Sequence, residues 1–572
     1  MTHTPGASLP AIQDGSEAPY RGKAIVRYFG AAALFYVLAG VSAALVLSPR
    51  VPFADAWRHY TRLLTTPFPG SVLEADNGHL EVFANFIRWA SLSWLQGSEG
   101  VQIVIGTLLA LATLAVFLRI IWRAPNVAAP ARAAAAFSLS LGVFWLGNAR
   151  ALLHDNEALH VYSVCLCLAG AISLMLTQRP EQTGSAARVS AAIALCFLGS
   201  LNFGSGFACF VSLLSLLFMD RAPLRSFILA AGGLLLAFAC YRLLAGSMGS
   251  GVVFQPVEQV GIALRWLSVP LIYLFWPFVD QNAAASMPHP FDAMVAVARA
   301  WTYAFGDVHS SAIPQAIAGL ALVLVLSLWT WQVRTRPENS NDIVKLGLAL
   351  GWFGIGVSGM VALTRTRYFA DFPLQLSAPR YLPWSSLAWA GLLTAFVARQ
   401  PARRMRLLLA AAVGVFALAA EGGMVIVMNH QRDDADDTAL AAVVGLWPTG
   451  NVPSENDPVE TRASAMALRE HAAGPFAWPE APLIGKAVPA DANQLAIQEL
   501  RRNEAGPSGA RLEVTVSGRT CDGERLLVTA HERVVGLLRH VRGDQWRGAI
   551  KSASRNDALA IFELECASAA VK

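Results

Sequence analysis

The chain has 572 residues, 55% of them hydrophobic and only 15% charged, with a mean hydropathy of +0.46. Soluble domains carry about 25% charged residues, so a single soluble fold is excluded. The net charge of +5 sits mainly beside apolar runs, where it sets membrane topology. No basic patch interleaves with aromatics, which argues against nucleic-acid binding.

Residues 1–20 are polar, with Pro, Gly and Ser, and read as a disordered cytoplasmic arm. The first apolar run is Ala24–Leu47, entered past Arg21, Lys23 and Arg27. Positive charge on that side places the N-terminus in the cytoplasm. The run itself is the expected insertion signal, with no cleavable leader.

Ser48–Gly100 is too polar to be a plain connector. It holds Asp55, Arg58, His59, Arg62, Glu74, Asp76, His79, Glu81 and Arg88 in one interval. Ionisable groups kept at a bilayer face are costly and usually functional. Apolar spacing predicts a short helix over Ala54–Thr66, with Trp57, Tyr60 and Leu64 on one stripe and Asp55, His59 and Arg62 on another. Pro67–Gly70 ends it. A second helix is predicted over His79–Leu95 and is expected to lie in the interface, because it carries Glu81, Asn85 and Arg88.

Further spans are predicted at Val101–Trp122, Ala131–Gly147, Ala158–Leu176, Val189–Phe203, Phe207–Met219 and Ser226–Leu244. Val260–Val279 is apolar enough to cross, but Arg334, Arg336 and Lys345 beyond the next span must be cytoplasmic. With Arg265, Pro270 and Pro277 inside it, this segment is expected to be re-entrant or interfacial. Ile313–Trp331, Ile343–Leu363, Tyr381–Val397 and Leu407–Met428 complete the set. The fold expected is an all-α polytopic membrane protein of about eleven spans plus interfacial helices over residues 21–428, carrying an extramembrane tail. In the tail, 429–509 reads as linker with helical pieces, and 510–572 as a β-rich domain whose LEVTVSG, RLLVTA, RVVGLL and ALAIFELEC runs alternate. Cys521 and Cys566 are expected to pair as a disulfide in an oxidising compartment. The other five cysteines lie in apolar runs and read as packing.

The expected external loops collect three groups of polar residues. The first holds Asp55, His59, Asp76, His79 and Glu81; the second His154, Asp155, Glu157 and His160; the third Arg365, Arg367, Arg380 and Tyr381. Carboxylates act as a general base toward an acceptor hydroxyl, and arginine forks hold phosphate. Each group also has a plainer reading. Asp55 pairs with Arg58 or His59 on its own helix, Asp76 caps the next helix, and the arginines anchor at the interface. His154, Glu157 and His160 share one helix face and could ligate a divalent metal, but the spacing is not a standard site and a solvated helix start is the better reading, so no cofactor is assigned.

This pattern resembles the GT-C superfamily of membrane glycosyltransferases. The resemblance rests on a long first external loop with interfacial helices, an acidic residue soon after span one (Asp55), and acidic positions in the next external loop (Asp155, Glu157). The chain is also similar to bacterial multispan proteins that carry Asn-Glu-His-Arg, Trp-Glu-Asn and Ser-Arg-Tyr at places where this sequence has Asn77-Gly78-His79-Leu80, His154-Asp155-Asn156 and Pro379-Arg380-Tyr381. It departs from the superfamily in lacking a paired acidic motif, since Asp55 is flanked by alanines. The resemblance implies sugar transfer from a polyprenyl-phosphate-linked donor to a cell-envelope glycan or lipid at the outer face of a bacterial inner membrane. Asp55, Asp76 or Asp155 would then be catalytic, and the arginines would hold the donor. A non-enzymatic lipid or polysaccharide transporter, or an envelope polymerase or acyltransferase, remains open.

Overall fold

A computed structural model of the chain describes residues 18–76, 78–176, 186–246, 254–274, 300, 312–399, 403–446, 458–504, 509–519, 524–551 and 557–564. Among the described residues, nine helical segments are long and apolar enough to cross a membrane, as in a multi-pass membrane protein. Two more apolar helices are shorter, Ala186–Asn202 and Gly204–Met219.

The helices, in chain order, are α1 (Ala18–Val46), α2 (Ala56–Thr65), α3 (Gly70–Leu73), α4 (Val82–Leu95), α5 (Glu99–Arg123), α6 (Ala129–Phe144), α7 (Ala149–Leu153), α8 (Asp155–Leu176) and α9 (Ala186–Asn202). They continue with α10 (Ala208–Met219), α11 (Leu224–Ala245), α12 (Pro256–Leu267), α13 (Val269–Tyr273), α14 (Ala312–Thr335), α15 (Asp342–Asp371), α16 (Leu382–Ala398), α17 (Arg403–Val444) and α18 (Pro458–Glu470). The core of the bundle is apolar and buried, with Phe117, Phe137, Phe144 and Phe210 among its largest side chains. Side chains facing outward are also apolar, including Leu108, Leu235, Leu243, Ile313 and Leu324. Water would not tolerate that second set over so many helices; hydrocarbon does.

Hydrogen bonds sort the helix ends into two faces. At one, Phe83 N donates to Asn202 Oδ1 at 3.0 Å, Tyr241 Oη to the Gly78 carbonyl at 2.8 Å, and Tyr273 Oη to the Ser377 carbonyl at 2.9 Å. At the other, Arg334 donates to the Phe218 carbonyl, Lys345 pairs with Asp220, and Asn341 donates to the Ala398 carbonyl. The first loop and the tail share the former face, the site face.

α4 is inside out for a soluble helix. Asn85, Arg88 and Ser91 are buried, while Phe86, Trp94 and Leu95 are exposed. A helix with that polarity sits against lipid on its outer side and against polar groups on its inner side. The segment predicted to be re-entrant opens with α12 and α13, 12 and 5 residues long, neither of which can span. Its remaining residues, 275–279, with Pro277 among them, lie outside the described residues.

The tail differs from the expected linker and strands. α17 runs unbroken from Arg403 to Val444, across the position where the apolar run ends. Six strands then form a closed antiparallel barrel in the order β1-β2-β5-β4-β3-β6. They are β1 (Asn493–Glu504), β2 (Ala510–Ser517), β3 (Arg525–Ala530), β4 (Arg533–Arg542), β5 (Gln545–Ile550) and β6 (Leu559–Glu563). Four match the predicted strands. β1 falls where linker was expected, because its Gln, Glu and Arg content hides the alternation, and β5 is a short addition. Cys521 and Cys566 lie outside the described residues, as does Asn77.

The barrel is clamped to α17 by Arg539, which pairs with Asp433 at 3.0 Å and Asp437 at 2.9 Å. It also reaches the first loop. Trp57 and Tyr60 of α2 share one buried cluster with Leu440 and Val443 of α17, Leu468 of α18 and Leu537 of β4. The tail is therefore packed directly behind α2.

Candidate functional site

α2 is amphipathic, with both of its faces in use. Its apolar stripe, Trp57 and Tyr60, is held by the tail, so Arg58, His59 and Arg62 are turned toward the bundle. Just before it, Ala54 has φ of +50°, a left-handed conformation costly for a residue with a Cβ. Val51, Phe53 and Ala54 pack against Ala435 and Ala439 of α17, which holds that turn. Asp55 is the residue the strained turn presents.

Asp76 is gripped by Arg58, with Nε at 3.0 Å from one carboxylate oxygen and Nη2 at 2.5 Å from the other. Arg62 stands 3.6 Å away and His59 4.0 Å. Burial opposes ionisation of Asp76, but the His59 ring and the Arg58 fork hold it below the usual carboxylate range. Glu81 is fully buried and pairs with Arg88 Nη1 at 2.8 Å. Burial again opposes its charge, and Arg88, with His160 and His59 behind it, holds it well below its ordinary value. Arg88 is the hub: it also donates to Asn85 Oδ1 at 2.7 Å, to the Asn156 carbonyl at 3.1 Å and to Asn156 Oδ1.

The three polar groups seen in the sequence meet here. Arg365 Nη2 lies 3.2 Å from His79 Nε2, although 286 residues separate them. Arginine has only donors, so that ring nitrogen accepts and the other, Nδ1, carries the hydrogen. Nδ1 is buried with no hydrogen-bond partner among the described residues. Burial and then the Arg365 charge push His79 down to about 4, and burial and then Arg88 push His59 down to about 3. Both rings are neutral at pH 7. His79 and His160 each stack on Phe203, at centroid distances of 4.5 and 4.3 Å. Phe203 stands at the break between α9 and α10, where a Cβ on Gly206 would lie 2.1 Å from the Gly199 carbonyl. Only glycine lets that break close up.

The Asp55 side chain is 39% exposed and 3.4 Å from Arg58. Asp55 and Arg380 both act electrostatically on Glu157, whose direct partner is Arg150 Nε. Asp155 is buried and acts electrostatically on Glu99, which receives Tyr60 Oη and Gln102. Arg380 donates to Gln375 at 2.7 Å and Tyr368 Oη at 3.1 Å, and lies over the Tyr381 ring at 5.2 Å. Arg367 is exposed, and two residues from Arg365 it lies on another face of α15. His154 sits edge-on to Phe53 at 4.6 Å.

The sequence reading placed Arg62, Asn85 and Arg88 in the polar first loop without giving them a role, and it did not single out Glu99, Arg150, Asn156 or Phe203. Glu81, Asn85 and Arg88 at i, i+4 and i+7 on a predicted interfacial helix were the available signal. Among the described residues, no group of three His, Cys, Asp or Glu side chains is arranged to hold a metal ion.

Among the described residues, Arg365 and Arg380 have no carboxylate within ion-pair distance, whereas Asp76, Glu81 and Glu157 each have an arginine. The site thus has neutralised acids on one side and uncommitted cations on the other, with Asp55 as its most exposed carboxylate. Comparison with known proteins finds no matching family model and no matching curated protein.

Proposed function

We propose that the protein is a membrane glycosyltransferase of GT-C-like architecture. It moves a sugar from a polyprenyl-phosphate-linked donor to a cell-envelope glycan or lipid acceptor. The observation that carries this reading is the convergence of the first loop, the α8 start and the α15–α16 turn around cations that lack carboxylate partners among the described residues, at one face of an apolar bundle. A lipid-linked phosphate reaches such a site from the membrane and brings the missing negative charge.

In this reading Asp55 takes the proton from the acceptor hydroxyl as the new glycosidic bond forms. The bond from the sugar to the carrier phosphate breaks, and the phosphate leaves with its charge held by Arg365 and Arg380. Asp76, already tied to Arg58, orients α2 rather than accepting a proton. Asp155, buried beside Glu99, does the same for the α8 start. His59, His79, Glu81, Glu157 and Tyr381 surround these groups and hold them in place. Arg367 is left to the interface. Counting the two shorter apolar helices gives eleven spans, with the N-terminus cytoplasmic and the tail on the periplasmic side of a bacterial inner membrane.

The test is turnover of a polyprenyl-phosphate-linked sugar by the purified, reconstituted protein. Asp55→Asn is expected to lower kcat by about 10²–10⁴-fold, the range for a general base, with donor binding retained. Arg380→Ala is expected to weaken donor binding instead. Wild-type turnover in Asp55→Asn would overturn the catalytic assignment, and absence of any transfer across a panel of donors would overturn the reading.

A further inference from the structure

A cavity of about 380 Å³ lies apart from the polar cluster, between α12, the start of α14 and the α15–α16 turn. Ile262, Ile313, Phe369 and Leu376 supply apolar wall, and Arg265 and Glu258 supply opposite charges. Ile313 is 73% exposed, and Phe254, Val257, Val260 and Ile317 on or beside the same two helices are exposed as well. Among the described residues the mouth opens sideways through an apolar surface of the kind that faces lipid.

The two charges do not neutralise one another. Arg265 Nε donates to Gln315 Oε1 at 3.2 Å, and among the described residues no carboxylate lies within ion-pair distance of it. Glu258 and Arg265 are seven residues apart on α12. They share one face, about 10 Å apart along the axis. A cation and an anion, not paired with each other, two turns apart on one wall of a lipid-facing cavity complement a headgroup bearing both signs. Arginine matches phosphate, and a carboxylate matches a primary ammonium that donates hydrogen bonds.

We infer that this cavity binds one phospholipid of the site-face leaflet with an amine-bearing zwitterionic headgroup, its phosphate on Arg265 and its ammonium on Glu258. The acyl chain runs along Ile262, Ile313 and Leu376 toward the bilayer. Phe369, at the back of the cavity, meets the Tyr381 ring at 6.0 Å, so the bound lipid stands beside the arginine wall without entering it. The site is independent of the transferase reading, since it rests on a different cavity.

The experiment is native mass spectrometry of the full-length protein, exchanged from detergent into nanodiscs holding equal parts of phosphatidylethanolamine, phosphatidylcholine and phosphatidylglycerol. The wild type is expected to retain one phosphatidylethanolamine on the order of tenfold over the other two, the scale of one charge-assisted contact. Glu258→Gln is expected to erase that preference while still retaining a phospholipid. Arg265→Ala is expected to retain none, and Arg265→Lys to retain part. Ala316→Trp, which fills the cavity and leaves both charged side chains in the sequence, is expected to abolish retention in a protein that stays monodisperse. Equal retention of phosphatidylglycerol by the wild type would overturn the headgroup assignment. Undiminished retention in Ala316→Trp would overturn the site.

Discussion

On the face away from the site, Arg334 donates to the Phe218 carbonyl at 2.6 Å, Arg221 to those of Arg334 and Thr335 at 2.7 and 3.2 Å, and Arg132 to that of Ala124 at 2.6 Å. These are helix C-terminal carbonyls, which have no intrahelical partner and carry the negative end of the helix dipole. Arg50 and Arg432 serve the end of α1 in the same way on the site face, through Leu45 and Val46. Arg58, Arg62, Arg88, Arg365 and Arg380 behave otherwise, binding mainly carboxylates, amides, an imidazole and a phenol drawn from distant parts of the chain. Capping accounts for the first set completely. The second set costs several ions their hydration and closes no helix, so it is retained for something other than building the bundle.

The sharpest way to break that comparison is at the hub. Arg88→Ala leaves Glu81 buried without its cation, and loss of one partner of a buried pair costs about 3–5 kcal/mol. A large drop in the unfolding midpoint of the detergent-solubilised protein is expected. Arg88→Lys should recover only part, because an ammonium lacks the planar fork that spans Glu81, Asn85 and Asn156.

An intermediate effect is expected from pH. His59 and His79 have folded-state values of about 3 and about 4 against 6.5 for the free side chain. The unfolded chain therefore takes up protons first as pH falls. Stability is fully present above about pH 6.5 and is lost toward pH 4, on the order of 2–3 kcal/mol for each histidine. Asp76 and Glu81, both depressed, add a further loss once pH falls below the ordinary carboxylate value. Melting curves between pH 8 and 4 test this, and His79→Gln, which can still accept from Arg365, should flatten the slope. A stability that rises on acidification would contradict the neutral assignment of these rings.

The smallest effect is expected on the opposite face. Arg221→Ala removes exposed caps and should cost under about 1 kcal/mol. It should leave both turnover and the pH slope unchanged, and a loss there as large as that of Arg88→Ala would erase the distinction between the faces.

Span positions were legible because a membrane imposes one simple pattern, long apolar runs bounded by cations, and α5, α8, α11 and α14 begin or end within about four residues of where that pattern places them. Three polar loops were legible as candidates for the same reason, since charge stands out against hydrocarbon. Partner choice was not. Nothing in the local spacing says that Asp76 is held by Arg58 or that His79 meets Arg365, because those contacts depend on how α2 and α15 are packed. Phe203 looked like an ordinary apolar residue at a turn, and its role as the shared stacking partner of two histidines exists only in three dimensions. β1 failed for a different reason: its exposed face is charged and its buried face nearly empty, with Leu495 as its fully buried apolar side chain. α17 was cut short in the reading because its apolar run ends at Met428, whereas Asp433 and Asp437 beyond that end are the barrel's attachment points.

α17 touches Tyr36 through the Gly414 carbonyl, Leu146 through Glu421, Val46 through Arg432, the barrel through Asp433 and Asp437, and α2 through Leu440 and Val443. All of these contacts hang on one uninterrupted screw. Each residue turns that screw by about 100° and advances it about 1.5 Å. One residue added between Gly422 and Arg432 would swing the barrel a quarter-turn and more about the helix axis, aiming Asp433 and Asp437 away from α2's side of the bundle. Seven added residues would come back to within about 20° of the original bearing. The membrane bundle and the barrel are thus kept in phase, like two cams on one shaft, and the length between them can change only by near-whole turns.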